Sequence, residues 1–229
     1  MYEEVYRALA SKSRADILKL LYKKPHSIDA LAEKLKLRPI TVRHHIQFLM
    51  EAGLLDSYEE RSGMSGRPTN YYKIAKSLPV VTFPERHYLL FSSFIVDAIL
   101  HSVGEQKTRE IIAKAGYEMG KEVVKQLEQK HSIKKWSAKE FAEIFVKGYL
   151  EETGTEPEII TESNKQVIYR LHNCIFFELA LKKPNLICDI LHRQFHQGVC
   201  AAIGKNAKDS QRTCMGHGDD YCEHIIEWT

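Results

Sequence analysis

Apolar residues in the first third of the chain recur at helical spacing and predict three helices. Residues 2–22 carry one continuous apolar stripe and predict a single helix. Ile28–Leu35 and Pro39–Glu51 predict two shorter helices, with Ser27 as the N-cap of the first and Gly53 ending the second. The two short helices are predicted to share a core of six apolar residues: Ala30, Leu31, Leu35, Val42, Ile46 and Leu49.

The segment after these helices alternates between apolar and polar residues, as strands do. Strand-like pieces over residues 55–60 and 70–74 flank the glycine-rich stretch SGMSGRP, which predicts a hairpin wing. In a winged helix-turn-helix the second short helix enters the DNA major groove, and basic residues reach the backbone or the minor groove. The predicted DNA-binding residues are Arg38, Thr41, Arg43, His44, His45, Gln47, Arg61 and Arg67.

The pattern changes after residue 78. Prolines mark a linker, and residues 85–103 form a helix so apolar that it must bury more than one side, for which a second copy of the chain is a candidate surface. Further helices and two strand pairs follow, one helix opening at a Ser137–Glu140 capping box. The predicted fold class is α+β: a winged helix-turn-helix over residues 1–78, a linker over 79–84, and a helical dimerisation and cysteine-rich α+β sensor domain over 85–229.

Charge and composition narrow the function. The chain has a net charge of +3; residues 1–78 hold 14 lysines and arginines against 9 acidic residues, whereas residues 79–229 hold 19 against 21. A basic N-terminal domain fits DNA as the partner. No signal peptide or membrane-spanning apolar run is predicted, so we expect a cytoplasmic protein without a membrane partner. No nucleophile–histidine–acid set, phosphate-binding glycine loop or paired-carboxylate motif occurs, so we expect no enzyme.

Five cysteines lie within the last 56 residues, and their odd number argues against a disulfide framework. No pair has the C-x2-C spacing of a zinc knuckle, so a shared site must be assembled from separate elements. Cys174, Cys188, Cys214 and Cys222 can converge if the helix opened by Pro184 packs on the two predicted hairpins. Cys200 lies twelve residues after Cys188 on that helix, about 18 Å away, and is therefore excluded from the site.

The same helix carries a row of potential ligands at a spacing of four residues. Cys188, His192, His196 and Cys200 follow one helix face, and neighbours in such a row can share a metal ion. His192 is one turn from Cys188 and is a candidate alternative metal ligand, or a hydrogen-bond partner of a sulfur at the metal site. We interpret His196 and Cys200 as half-buried residues at the edge of an apolar face.

Three motifs near the C-terminus resemble the Suf-operon repressors, winged-helix regulators that hold an iron–sulfur cluster. The motifs are Asn173-Cys174, Pro184-x-x-x-Cys188 and Cys214-Met-x-x-Gly218-Asp219-x-x-Cys222. The sequence Gly66-Arg67-Pro68 in the wing and an ArsR-like pattern over residues 8–21 extend the resemblance. It implies a repressor whose operator affinity responds to a 4Fe–4S or 2Fe–2S cluster, with ligands Cys174, Cys188 and Cys214, and Cys222 at a further cysteine position.

The C-terminal motifs also resemble 4-vinyl-reductase-like sensor domains. This second resemblance implies two alternatives. One is a metal-free thiol switch that responds to redox conditions. The other is a zinc-containing regulator that senses a small ligand.

Overall fold

The computed structural model describes residues 2–60, 68–75, 78, 86–204 and 206–228. It contains two compact units, residues 1–86 and 87–229. Each unit has its own antiparallel sheet and its own buried core.

The first unit is a winged helix-turn-helix. Its four helices are accompanied by a three-stranded antiparallel sheet. The two predicted wing strands pair with each other, and a short strand that was not predicted, His26–Ser27, pairs with the second of them. The predicted wing tip, including Arg61 and Arg67, lies outside the described residues. The elements are α1 (Tyr2–Leu9), α2 (Lys12–Lys23), β1 (His26–Ser27), α3 (Ile28–Leu35), α4 (Pro39–Glu51), β2 (Leu55–Glu60) and β3 (Thr69–Ile74).

The single helix predicted over residues 2–22 is wrong. Two helices occupy this stretch, because Ser11 has an extended backbone with φ −115° and ψ 126°. Arg14 stabilises the break: its Nε donates to the carbonyl oxygen of Ala8 at 2.6 Å, near the end of α1 where helical carbonyls lack partners. The continuous apolar stripe therefore belongs to two helices that pack into one core.

The helix-turn-helix has the predicted boundaries. The Ser27 hydroxyl accepts a hydrogen bond from the backbone N–H of Ala30 at 3.3 Å and caps α3. The predicted shared core forms, but Ala32 is buried in it and Ala30 is only half-buried. The buried residues that join α3 to α4 are Leu31, Ala32, Val42, Ile46 and Leu49.

The second unit is α+β, with a four-stranded antiparallel sheet in the order β4-β5-β7-β6. Its core lies between this sheet and the long helices, around fully buried Phe141, Phe145 and Tyr169. The Ser137–Glu140 capping box is present as predicted. The elements are α5 (Tyr88–His131), α6 (Ala138–Glu140), β4 (Pro157–Glu162), β5 (Gln166–Leu171), α7 (Phe177–Lys182), α8 (Pro184–Leu186), α9 (Arg193–Ile203), β6 (Ala207–Thr213) and β7 (Cys222–Trp228).

Gly104 interrupts α5 with non-helical φ 76° and ψ 169°. Residues 88–103 form the apolar half, in which Tyr88, Leu90, Phe91 and Phe94 are 63–69% exposed. By length and composition alone α5 could cross a membrane, contrary to the predicted lack of any such run. The break leaves an uninterrupted apolar helix shorter than the about 20 residues that span a bilayer.

The second half of α5 packs against α9 with almost no separation. A Cβ added at Gly120 would overlap the carbonyl oxygen of Phe195, and one added at Gly198 would overlap that of Tyr117. Only glycine allows two helix backbones to approach this closely. The second half of α5 therefore forms a closely packed helix pair with α9.

Two stretches of the second unit are π-helical: Phe141–Leu150, which continues α6, and Ile187–His192, which joins α8 to α9. Such wide turns often occur at functional sites. The second stretch contains both Cys188 and His192. It changes the directions in which side chains point along a helix that the sequence predicted to be regular from Pro184 to Ile203.

Candidate functional site

The recognition helix α4 presents the predicted DNA-binding residues at its surface. Arg38 precedes the helix, and Thr41, Arg43, His44 and Gln47 are exposed along it. The amide of Gln47 donates to Glu51 Oε1 at 3.0 Å. Exposed polar and basic side chains on this helix are the groups with which helix-turn-helix domains contact bases and phosphates.

His45 departs from this arrangement because its side chain is half-buried. Its Nδ1 is enclosed and has no hydrogen-bond partner among the described residues. Burial lowers the pKa of His45, and the nearby Arg14 lowers it further. His45 is therefore placed between the core and the exposed face of α4.

Four cysteines converge in the second unit from four separate segments. Cys174 follows β5, Cys188 lies in the π-helical stretch, Cys214 follows β6, and Cys222 begins β7. Cys174 and Cys214 pack against the small apolar cluster that contains buried Cys188. All four are free thiols and line one cavity.

Cys214 is at the centre of this group. The thiols of Cys188 and Cys222 both donate hydrogen bonds to its sulfur, which lowers the pKa of Cys214 and raises the pKa of each donor. The backbone N–H of Met215 donates to the sulfur of Cys222 at 3.3 Å. The arrangement stabilises one thiolate between two thiols, and thiolates are the form in which cysteine binds metals.

The turn between β6 and β7 holds Cys214 in position. The carboxylate of Asp219 accepts from the backbone N–H of Cys214 at 2.7 Å, as expected for aspartate in a turn. His217 Nε2 lies 2.8 Å from Asp189 Oδ1 and joins this turn to the residue after Cys188. Gly216 lies against Cys188, since a Cβ at this glycine would overlap the Cys188 sulfur.

Cys200 lies away from the thiol group. It is buried in the main core and does not line the cavity. Burial raises the pKa of its thiol to about 12, with a further contribution from Asp209, so the thiol is protonated and unreactive at neutral pH.

Three histidines form a second group of potential metal ligands. His192 and His196 lie on the helix that follows Cys188, and His224 lies on β7. One ring nitrogen from each of His192, His196 and His224 lies within 4.8 Å of the others. The imidazoles of His196 and His224 stack with 4.0 Å between ring centroids. Asp209 Oδ1 lies 3.0 Å from His224 Nδ1, and the Tyr169 hydroxyl lies 3.4 Å from His196 Nδ1.

The sequence analysis interpreted both His196 and Cys200 as half-buried residues, which is wrong, because both are buried in the second unit. His196 and His224 are each 1% exposed. His224 was not predicted as a site residue. The available signal was its position in β7, where Cys222, His224 and Ile226 alternate along one face and all are buried, so that a histidine occupies an apolar position.

The cavity has a volume of about 150 Å³ and mostly apolar walls. The four converging cysteines, His192 and His196 all line it. Met119, Tyr149, Phe176 and Phe195 contribute to its apolar lining. The thiol group and part of the histidine group thus face a common space.

Comparisons with known proteins support the description of the first unit. A protein family described as "Helix-turn-helix domain" matches residues 9–58. A comparison with curated proteins finds no significant match.

Solved structures similar to this chain include HlyU from Vibrio cholerae, at 23% identity over 32% of this chain and 74% of that one, with a TM-score of 0.28. The DNA-binding domain of Mb0332 from Mycobacterium bovis, a possible ArsR-family regulator, has 25% identity over 45% of this chain and 82% of that one (TM-score 0.29). The phenol-responsive sensory domain of PoxR has 11% identity over 82% of this chain and 90% of that one (TM-score 0.47). With its helix-turn-helix domain and exposed recognition helix, the chain is a DNA-binding transcriptional regulator.

Proposed function

We propose that this protein is a cytoplasmic transcriptional repressor whose operator affinity responds to an iron–sulfur cluster held by Cys174, Cys188, Cys214 and Cys222. The proposal is carried by the convergence of four cysteines from separate segments around one cavity. Cys174 packs against the small apolar cluster that contains Cys188. Four soft sulfur donors on one cavity wall fit the ligand requirement of such a cluster, either 4Fe–4S or 2Fe–2S. When bound, the cluster supplies sensitivity to oxidants and to iron supply.

The packing of α5 supports a route from the cysteines to DNA. Leu89 and Val96, in the apolar half of α5, pack against the apolar cluster that contains Cys188. Lys183 Nζ also lies 2.7 Å from Asp97 Oδ1 in the same half. Fixing Cys188 therefore restrains the helix that follows the linker in the sequence. A ligand changes DNA affinity only if it binds the two conformations differently. In this proposal the difference is whether α5 is held against the cysteine site.

The exposed apolar half of α5 supports a homodimer. Tyr88, Leu90, Phe91 and Phe94 form an exposed apolar surface, which is typical of an association surface. A dimer would place two recognition helices at half-sites one DNA turn, roughly 34 Å, apart. Restraint of α5 by the cysteine site would then alter the separation of the two helices.

The decisive experiment is anaerobic purification followed by visible absorption and iron and sulfide analysis. We expect matching amounts of iron and sulfide, and a change in operator affinity when the cluster is removed. Cys214→Ser should lose the iron, whereas Cys200→Ser, a matched control in the same unit, should retain it. Absence of iron from the wild-type protein, or its retention in Cys214→Ser, would overturn the proposal.

The apolar cavity favours a second candidate function. A regulator with zinc on the four thiols and a small apolar ligand in the cavity would use the same residues. A metal-free thiol switch would use the thiolate of Cys214, which would form a disulfide with Cys188 or Cys222 while an external oxidant accepts the two electrons. Stoichiometric zinc without sulfide supports the first of these alternatives, and metal-free protein that responds to oxidants in DNA binding supports the second.

A further inference from the structure

We infer that His192, His196 and His224 form a second metal site, separate from the cysteines, for a divalent cation of the zinc type. Their ligand nitrogens lie within 4.8 Å of one another. Across the described ranges they form the one group of three or more histidine, cysteine or acidic side chains gathered this closely. Imidazole nitrogen suits Zn²⁺ and neighbouring transition-metal ions, whereas Mg²⁺ and Ca²⁺ prefer oxygen.

The spacing of the two helix histidines matches a shared ion. The Nε2 atoms of His192 and His196 lie 3.2 Å apart. Two ligands of a tetrahedral zinc site with bonds of about 2.0–2.1 Å are separated by roughly 3.3 Å. The π-helical stretch ends at His192, and His196 lies in the first turn of α9. The two residues are therefore four positions apart on neighbouring turns.

The strongest argument for a bound ion comes from a ring nitrogen of His224. Its Nε2 is buried and has no hydrogen-bond partner among the residues that the structure describes. Its Nδ1 is held by Asp209 Oδ1 at 3.0 Å. Metal-binding histidines commonly donate their other ring N–H to a carboxylate, which leaves the free nitrogen lone pair directed at the ion.

The remaining contacts are consistent with Nε2 as the ligand atom of His196. The Tyr169 hydroxyl lies 3.4 Å from its Nδ1, on the opposite side of the ring. Tyr169 is itself fully buried, so this contact fixes the ring in the core. Asp209 and Tyr169 are thus positioning residues for two of the three imidazoles.

The protonation states favour cation binding. His196 and His224 are buried and His192 is half-buried, and burial of an imidazole disfavours its charged form. All three rings are therefore neutral at pH 7 and have a lone pair available for an ion. Without an ion, hydrogen bonding between the rings leaves the buried Nε2 of His224 unsatisfied, which native structures rarely tolerate.

The cavity gives the ion a route and a fourth ligand position. His192 and His196 line the cavity, whereas His224 lies behind them in the core. An ion bound by the three imidazoles would have its fourth ligand position open to the cavity. Three protein ligands with one open position are typical of zinc sites that bind water or a small donor ligand.

The test uses full-length, metal-free protein that carries Cys188→Ser and Cys214→Ser, so that the thiol site is disabled. Co²⁺ serves as the probe because its absorption distinguishes nitrogen from thiolate ligands. We expect one equivalent to bind with visible d–d bands and without thiolate charge-transfer absorption. X-ray absorption of the Zn²⁺ form should show nitrogen and oxygen neighbours only.

Adding His224→Asn should abolish this binding, and His131→Asn, an exposed residue of α5, should leave it unchanged. Asp209→Asn should weaken binding about 10–100-fold, as loss of a carboxylate behind a ligating histidine does. If His224→Asn fails to fold, His192→Asn at the cavity wall replaces it.

Absence of Co²⁺ binding, or equal binding by the His192→Asn variant, would overturn the inference. The result is independent of the proposed iron–sulfur function. In otherwise wild-type protein, His224→Asn should retain iron and sulfide, whereas Cys214→Ser should lose them and still bind Co²⁺ at the histidines.

Discussion

Lys183 and Asp97 form an ion pair of 2.7 Å that joins the residue before Pro184 to the apolar half of α5. The hydrogen bond from Lys183 lowers the pKa of the Asp97 carboxyl group. Both side chains are partly exposed, so the pair contributes little to stability. The pair is important because it joins α5 to the residue before α8, next to the apolar cluster that contains Cys188.

Asp97→Asn should therefore reduce the response of DNA binding to the cysteine site without destabilising the fold. We expect the operator affinities of cluster-loaded and cluster-free protein to become more alike, as measured by fluorescence anisotropy at fixed salt. Glu110→Gln is the matched control, because it breaks an exposed ion pair with Lys107 beyond Gly104. An unchanged affinity ratio in Asp97→Asn would argue against this route.

Gly216→Ala should disturb the thiol group. The added methyl would overlap the sulfur of Cys188, so the turn or the cysteine must move. Overpacking of this kind costs typically about 1–3 kcal/mol. We expect a lower melting temperature of the metal-free protein and less retained metal. Gly148→Ala is the control, because its methyl would meet its nearest neighbour at an ordinary 3.5 Å, and it should lower neither quantity.

Arg43→Ala should weaken DNA binding through the exposed face of α4. If Arg43 contacts a base edge, the loss should be about 1–3 kcal/mol and specific to sequence; if it contacts a phosphate, the salt dependence should fall by about one unit of slope. Anisotropy titrations on a selected duplex at several salt concentrations separate the two outcomes. Arg109→Ala, which removes a partly exposed arginine of α5, should bind like the wild type.

Ser27→Ala should destabilise the first unit. The Ser27 hydroxyl accepts the N–H of Ala30, and loss of such a cap costs about 0.5–2 kcal/mol. Denaturant unfolding followed by a probe in the first unit should show the loss. Ser27→Asp keeps an acceptor at the cap and should unfold like the wild type. Equal destabilisation by both substitutions would indicate that the cap is not the cause.

His26 should make the first unit sensitive to acid. Burial lowers the pKa of His26, and Lys34 and Lys24 lower it further. As the pH falls through the ordinary histidine pKa of about 6.5, the unfolded chain binds a proton that the folded chain excludes, so stability is lost. His26→Gln should flatten the decline of the melting temperature between about pH 7 and pH 5. His101→Gln, which is exposed, should not.

Local sequence signals predicted the helix-turn-helix well. Ser27, Pro39 and Gly53 are strong start and stop signals, and α3 and α4 have the predicted bounds. The break at Ser11 carried no comparable signal, because the hydrogen bonds from Arg14 to the end of α1 arise only when the two helices pack. A continuous stripe in the sequence was therefore compatible with two helices.

The candidate site was only partly predictable for a related reason. The cysteines could be placed on separate elements that might meet, since each followed a recognisable strand or helix signal. The histidine group depended on the register of β7 against β6 and on the π-helical stretch before α9. Neither follows from hydrophobic periodicity, so His224 could not be joined to His192 and His196 from spacing alone.

The glycine contacts between α5 and α9 determine which part of the second unit is free to respond. At Gly120 and Gly198 the two backbones touch, so no layer of side chains remains that could slide or change rotamer. His196, which lies on α9, and the second half of α5 thus belong to one rigid pair of helices. We therefore expect a change at the cavity wall to move the half of α5 before Gly104, where Leu89 and Val96 pack against the apolar cluster that contains Cys188.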